Sequence, residues 1–240
     1  MTASRESHNE PTAPQYLVYP VIWDDVELSV VGANFITDKA CVIDFGESFD
    51  ISDPPSDLGI PQIYCSPEYV LDKNVGISSD IWALGCTLFE IRTGRRLFDM
   101  FDDDVDEYLC KLAVILGKFP EPWWSTAWRA RKEFFEDNAD ANGRAVEIRR
   151  GAPMDAVAYP AYCEDGTEIF TIQQPEPRSL QEALAPGLFC ESRHGPKDVR
   201  RDIFREEIDL FSELLRMILK YTPKERLTAK KVLDHAWFKL

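Results

Sequence analysis

Cys65-Ser66-Pro67-Glu68, followed twelve residues after its glutamate by Asp80-Ile81-Trp82-Ala83-Leu84-Gly85, is the stretch on which the fold turns. Ser78 to Arg92 carries a helical pattern. Ser78 or Ser79 is placed to cap it, and Asp80 lies in the first turn, where a carboxylate meets the positive end of the helix dipole. Ile81, Trp82, Leu84, Cys86, Leu88, Phe89 and Ile91 occupy most of the circumference, which predicts a central buried helix. Gly94 ends it, free to adopt the left-handed C′ conformation. Gly85 in its middle costs about 1 kcal/mol relative to Ala, and close approach of another backbone is the expected compensation.

Upstream, Ala40-Cys41-Val42-Ile43 reads as a buried strand. Its end would hold the Asp44 carboxylate rigidly at a cleft, with Phe45-Gly46 allowing the turn. Phe49 to Gly59 is a loop, rich in Ser, Asp, Pro and Gly. Downstream, Asp104 to Leu116 forms a second helix with Val105, Leu109, Leu112 and Leu116 on one face. Trp123 to Asn138 reads as a third, opened by Pro122. From Ala139 to about Arg201 the periodicity fades, predicting a long insertion of loops. Ile203 to Tyr221 is amphipathic, with Ile208, Phe211, Leu215 and Ile218 at helical spacing and Pro223 as its stop. Thr228 caps a last short helix through Phe238. Met1 to Gln15 reads as a loose tail, and Tyr16 to Val21 as an edge segment interrupted by Pro20.

Hydrophobic residues make up 45% of the 240, the composition of a globular chain. No run of eighteen apolar residues predicts a transmembrane helix, and the polar N-terminus lacks the apolar core of a secretory signal. Six cysteines stand singly, without a C-x-x-C pair, so zinc is not expected. Cys41 and Cys86 read as small core residues, which suits the reducing cytoplasm or nucleus. The net charge of −15 makes nucleic acid and its phosphates a poor partner. The acidity fits a basic protein partner, or serves solubility alone.

Taken with Asp44-Phe45-Gly46 upstream and Pro223-Lys224-Glu225-Arg226 near the end, the opening stretch resembles the C-terminal lobe of eukaryotic protein kinases. The resemblance covers roughly Val42 to Leu240, with 139–201 outside it. It implies a mainly α, protein-kinase-like fold limited to that lobe: a central buried helix, surrounding helices, and short strands near Asp-Phe-Gly. The domain would run over 16–240, behind a flexible tail at 1–15. By the same resemblance Asp44 is the Mg²⁺ ligand, and Asp44, Phe45, Gly46, Tyr64, Ser66, Pro67 and Glu68 mark the activation segment. Glu68 and Arg226 form a buried ion pair that pins that segment. Asp80 bonds the catalytic-loop backbone, from a helix also anchored by Trp82 and Gly85. The implied activity is ATP-dependent phosphoryl transfer to Ser or Thr, with ATP and Mg²⁺ as cofactors of complete members.

Leu116-Gly117-Lys118-Phe119-Pro120 before a long insertion resembles the group of cyclin-dependent, MAP and SR-protein kinases. Glu47-Ser48, Gly59-Ile60-Pro61 and Pro120-Glu121-Pro122-Trp123-Trp124 are similar to fungal relatives of the SR-protein kinases, which implies Arg/Ser-rich substrates. Pro61 and Cys65 depart from that group, which usually carries Thr and Arg there. Asp99, Asp102, Asp103, Asp104, Asp106 and Glu107 either dock basic partners or simply enrich a helix N-terminus with acid.

Much of the family pattern is missing from these residues. There is no G-x-G-x-x-G, no Val-Ala-Ile-Lys and no His-Arg-Asp. Asn34 lies ten residues before Asp44, as a second Mg²⁺ ligand would, but the Asp expected five residues earlier is Ser29. His8, His194 and His235 read as surface or packing residues, so no general base is identifiable. The expectation is a lobe that binds no nucleotide or Mg²⁺ alone, lacks turnover, and leaves apolar surface of its central helix uncovered. The competing expectation is a non-catalytic module that presents the acidic run to basic partners.

Overall fold

The computed structural model describes residues 41–100, 104–140, 144–148, 159–162, 168–171, 177–190 and 199–240. The chain divides into two units. The described part of the first is 41–44, irregular and exposed. The second, Phe45–Cys190 with Asp198–Leu240, carries the regular elements.

That unit is largely helical. In order it contains α1 (Pro67–Asp72), α2 (Ile77–Thr93), α3 (Val105–Leu116) and the short α4 (Arg131–Phe134). α5 (Leu180–Leu184), α6 (Arg205–Ile218) and α7 (Ala229–Leu233) follow. Three antiparallel two-stranded hairpins pair β1 (Phe135–Ala139) with β2 (Ala145–Glu147), β3 (Tyr159–Tyr162) with β4 (Glu168–Thr171), and β5 (Leu188–Cys190) with β6 (Val199–Arg201). No helix among the described residues is long and apolar enough to cross a membrane.

The core gathers around α2. Ile81, Trp82, Gly85, Cys86, Phe89 and Thr93 are buried along one side of that helix. α6 meets it with Phe211, Leu214, Leu215 and Ile218, an i, i+3, i+4, i+7 stripe that is fully buried. α3 contributes Tyr108, Leu109, Leu112 and Ala113. An aromatic cluster of Phe119, Trp124, Trp128 and Phe135 extends the core, with ring centroids 5.5–6.1 Å apart. Trp237 stacks on Phe211 at 4.3 Å and closes its far end. Arg92, in the last turn of α2, holds Glu207, in the first turn of α6, through Nε–Oε1 and Nη2–Oε2 bonds of 2.6 and 2.7 Å. Each charge thus also complements its own helix dipole.

The structure corrects several sequence expectations. Residues 41–44 form no strand, and Val42 and Ile43 are 82% and 76% exposed. Cys41 is likewise exposed and not a core residue. A strand needs a ladder partner, and no described residue pairs with this run, so the expected strands near Asp-Phe-Gly are not formed there. α2 is capped by Gly76, with Ser79 reaching back to accept from the Gly76 amide at 3.2 Å. Its apolar circumference is buried on one side only: Ile77 and Ile91 are more than 70% exposed, and Leu84 and Leu88 are half-buried. Position 85 faces side chains, not another backbone. On α3, Val105 lies 48% exposed, and Tyr108 takes the buried place.

The expected third helix is broken. A π-turn covers Trp123–Ala127, α4 lasts one turn, and the chain then extends into β1. Arg131 Nη1 donates to the carbonyls of Phe135 and Glu136 at 3.2 and 3.0 Å, just past the end of α4. Within 139–201 the described residues hold the β2–β6 strands and α5, whose Leu180, Ala183 and Leu184 join the core. α6 ends at Ile218, well before Pro223, which instead opens a 3₁₀ turn. Thr228 does cap α7, its Oγ1 accepting from the Lys231 amide at 3.4 Å. The 1–15 tail, the Tyr16–Val21 edge segment, Ser29, Asn34, His8 and His194 lie outside the described residues.

A Cβ at position 85 would stand 2.6 Å from Ile218 Cγ2 and 3.0 Å from Leu219 Cδ2. Ile218 is fully buried and stiff at χ1, so it cannot yield. Gly85→Ala is therefore expected to lower stability by about 1–3 kcal/mol, overpacking outweighing the gain in helix propensity. Denaturant midpoints of the two proteins check this; a stabilised variant would contradict it.

Candidate functional site

The segment after Asp44 runs through turns and bends to a 3₁₀ turn at Gln62–Tyr64, and only then becomes fixed. Ser66 sits at the N-cap of α1, and Pro67 at the first helical position needs no amide partner. This places Glu68 in the first turn, pointing inward, 3% exposed. There it meets Arg226, which follows the 3₁₀ turn Pro223–Glu225. Arg226 Nη1 donates to Glu68 Oε1 at 2.7 Å and Nη2 to Oε2 at 2.6 Å. Arg226 Nη1 also donates to the Ser78 carbonyl, Nη2 to the Tyr221 carbonyl and Nε to the Lys220 carbonyl. All five guanidinium N–H groups have acceptors. The guanidinium lies 5.0 Å from the centroid of the Trp82 ring, a fully buried cation–π contact.

Ser79 completes the pair. Its hydroxyl donates to Glu68 Oε1 at 3.1 Å and accepts from Ser66 Oγ and the Gly76 amide. One donor and both lone pairs are used. Sequence reading passed over Ser79 in this role, because its chemistry depends on a carboxylate eleven residues away. It also passed over Tyr108, whose hydroxyl donates to the Cys65 carbonyl at 2.6 Å and ties the segment to α3. Tyr69 does similar work for the loop: it donates to Asp57 at 2.6 Å and accepts from the Leu58 amide at 2.8 Å. The Tyr64 hydroxyl bonds the Glu90 carboxylate on α2. Burial, and then that carboxylate, push the Tyr64 phenol up to about 12. Burial also pushes the Cys65 thiol up to about 11 and the Cys86 thiol higher still, so both are poor nucleophiles at neutral pH.

The residues expected to do chemistry are placed differently. Asp44 is exposed, in the left-handed region at φ 63°, with no side-chain partner among the described residues. Phe45 is 68% exposed and Gly46 lies in a turn. Mg²⁺ demands several oxygens in near-octahedral array. Among the described residues no three His, Cys, Asp or Glu side chains are grouped to hold a metal, and Asp44 offers one exposed carboxylate. Asp80 is exposed in the first turn of α2, without a side-chain partner among the described residues. Trp82 and Gly85 are buried structural positions.

Much of the acidic run serves the fold. The Asp104 carboxylate caps α3, accepting from the Asp106 and Glu107 amides at 2.7 and 3.1 Å. Asp106 accepts from Trp128 Nε1 at 2.8 Å, and Glu107 pairs with Lys111 at 3.4 Å. Asp99 keeps a side chain 72% exposed, 4.0 Å from Arg96. Asp102 and Asp103 lie outside the described residues. His235 caps the last 3₁₀ turn, its Nδ1 accepting from the Trp237 amide at 3.2 Å.

The family model described as the protein kinase domain matches residues 32–238. The chain is 26% identical over 197 residues to the dual specificity protein kinase lkh1 of Schizosaccharomyces pombe, which covers 82% of this chain and 23% of that protein. It is 28% identical over 198 residues to the serine/threonine-protein kinase AFC3 of Arabidopsis thaliana, covering 82% of this chain and 40% of that one. The chain thus spans less than half the length of either relative.

Arg226→Ala and Glu68→Ala should each cost about 3–5 kcal/mol, because each strands a buried charge. The double variant should cost much less than the sum, and a double-mutant cycle in denaturant reads the difference. The pH dependence has a definite sign at Tyr64. Its folded pKa lies above the ordinary value of 10, so the fold favours the protonated phenol. That contribution is whole below pH 10 and is lost as pH rises towards about 12. Tyr64→Phe should make the alkaline decline in stability shallower over that window.

Proposed function

The chain belongs to the protein kinase family, and on that premise we propose that it is the helical lobe of an SR-protein-kinase-like Ser/Thr kinase, a scaffold with no turnover of its own. The observation that carries this reading is the contrast between Glu68 and Asp44. The pair that fastens the activation segment is complete, down to each guanidinium proton. The carboxylate that would grip the metal stands exposed, outside any group of three or more ligating side chains among the described residues.

Complete members of the family use ATP and Mg²⁺. Phosphoryl transfer in them rests on several groups acting together: a loop over the phosphates, a lysine on them, and an aspartate that takes the hydroxyl proton. The sequence of this chain holds none of the three motifs that supply them. A general base alone typically contributes about 10²–10⁴-fold. The exposed Ile77 and Ile91 on α2 are in keeping with the same reading, as apolar side chains left without a covering element. We further propose Arg/Ser-rich proteins as the partner class and the cytoplasm or nucleus as the compartment, both from the family likeness. The alternative, a non-catalytic module offering the acidic run to basic partners, has less support, because Asp104, Asp106 and Glu107 already serve the fold.

The test is labelling of an Arg/Ser-rich peptide by the purified chain with Mg²⁺ and ATP. The expected outcome is incorporation no greater than that of the Asp44→Ala variant. Robust Mg²⁺-dependent labelling, abolished by Asp44→Ala, would overturn the proposal.

A further inference from the structure

A groove of about 590 Å³ opens where the end of α3, the start of α5 and the end of α6 converge. Its rim carries Lys118, Arg144, Arg178, Arg216 and Lys220, with Glu225 as its one acid. The whole chain has 27 Lys and Arg against 42 Asp and Glu, so this balance reverses that of the molecule. All five cations lie at exposed positions. Lys118 and Arg178 have ion-pair partners in Glu121 and Glu147. Arg144, Arg216 and Lys220 have none among the described residues. Between the cations the lining is mixed: Val114 and Ile115 are half-buried, and Ser179, Gln181, Tyr221 and Thr222 add polar groups.

We propose that this groove docks an acidic peptide segment of a partner protein, one that carries an apolar side chain between its carboxylates. A cleft lined by one sign of charge focuses its field and gathers the opposite charge. Val114 and Ile115 give such a segment a small apolar contact for one side chain, and the unpaired cations give the carboxylates their partners. A nucleic acid strand offers negative charge too. Its phosphates continue beyond the groove, however, and meet a chain of net charge −15. A short peptide confines its charge to the rim. Glu68 does not line the groove, although the carbonyls of Lys220 and Tyr221, which do, accept from Arg226; the docking itself involves no step of phosphoryl transfer.

Fluorescence anisotropy on the full chain tests the proposal. The probe is a labelled peptide of alternating Asp and Glu around a central Leu. The comparison probes are its Lys counterpart and an oligothymidylate of matched length. The expected result is saturable binding of the acidic peptide, weakened by salt, and reduced about tenfold or more in Arg216→Glu/Lys220→Glu. Lys230→Glu/Lys231→Glu, on α7 outside the groove, should bind as the unaltered chain does. Arg144→Glu, on a separate segment of the rim, gives an independent reading if the paired variant melts early. Three results would each overturn the proposal: no saturable binding of the acidic peptide, equal binding by folded rim variants, or tighter binding of the oligothymidylate.

Discussion

A single buried ion pair, Glu68 with Arg226, joins parts of the chain 158 residues apart. Removing two charges from water costs several kcal/mol per ion, and their attraction repays this only when the remaining hydrogen-bonding capacity is also met. Here it is met. Three backbone carbonyls, from Ser78, Lys220 and Tyr221, take the guanidinium protons that the carboxylate does not. The Ser79 hydroxyl adds a donor to Glu68. The N-termini of α1 and α2 and the segment after α6 therefore share one polar node beneath the Trp82 ring. Against a well-packed apolar substitute such a node adds little net stability. Its consequence is positional, because neither partner can leave without stranding the other.

What the sequence made legible follows from how local each signal is. α2, α3 and α6 repeat their apolar residues at helical spacing, and the Gly94 stop of α2 is a local backbone matter, in the left-handed region at φ 69°. The failures are non-local. Residues 40–43 have the composition of a buried strand, yet a strand exists only where another pairs with it. Trp123 to Asn138 has helical composition, but Phe135–Ala139 pairs with β2 as a strand, a partner that local composition does not announce. α5 lies in a stretch without periodicity because five residues are too few to show any. The circumference of α2 is apolar all round, and only the neighbours present decide which side is buried.

The site was legible in a different way. Nothing in the spacing of Glu68 and Arg226 announces a contact; family resemblance brought them together on paper, and hydrogen-bond geometry explains why they meet. The acidic run shows the reverse case. Six acids around the start of a helix suggest a docking surface, yet capping, an indole N–H and an i, i+4 lysine occupy three of them. The unpaired charge of opposite sign, Arg144, Arg216 and Lys220, lies in the groove by α5 and α6, brought together from two distant stretches of sequence and visible only after folding.

Anchoring in this lobe is built into the polar node. Amide hydrogen exchange measures that anchoring most directly. If the node holds the segment, amides of α1 should exchange as slowly as those in the middle of α2, at the free energy of global unfolding. Exchange of α1 as fast as that of the 48–59 loop would contradict the account, since it would mean that the segment opens while the ion pair that should pin it remains part of a folded protein.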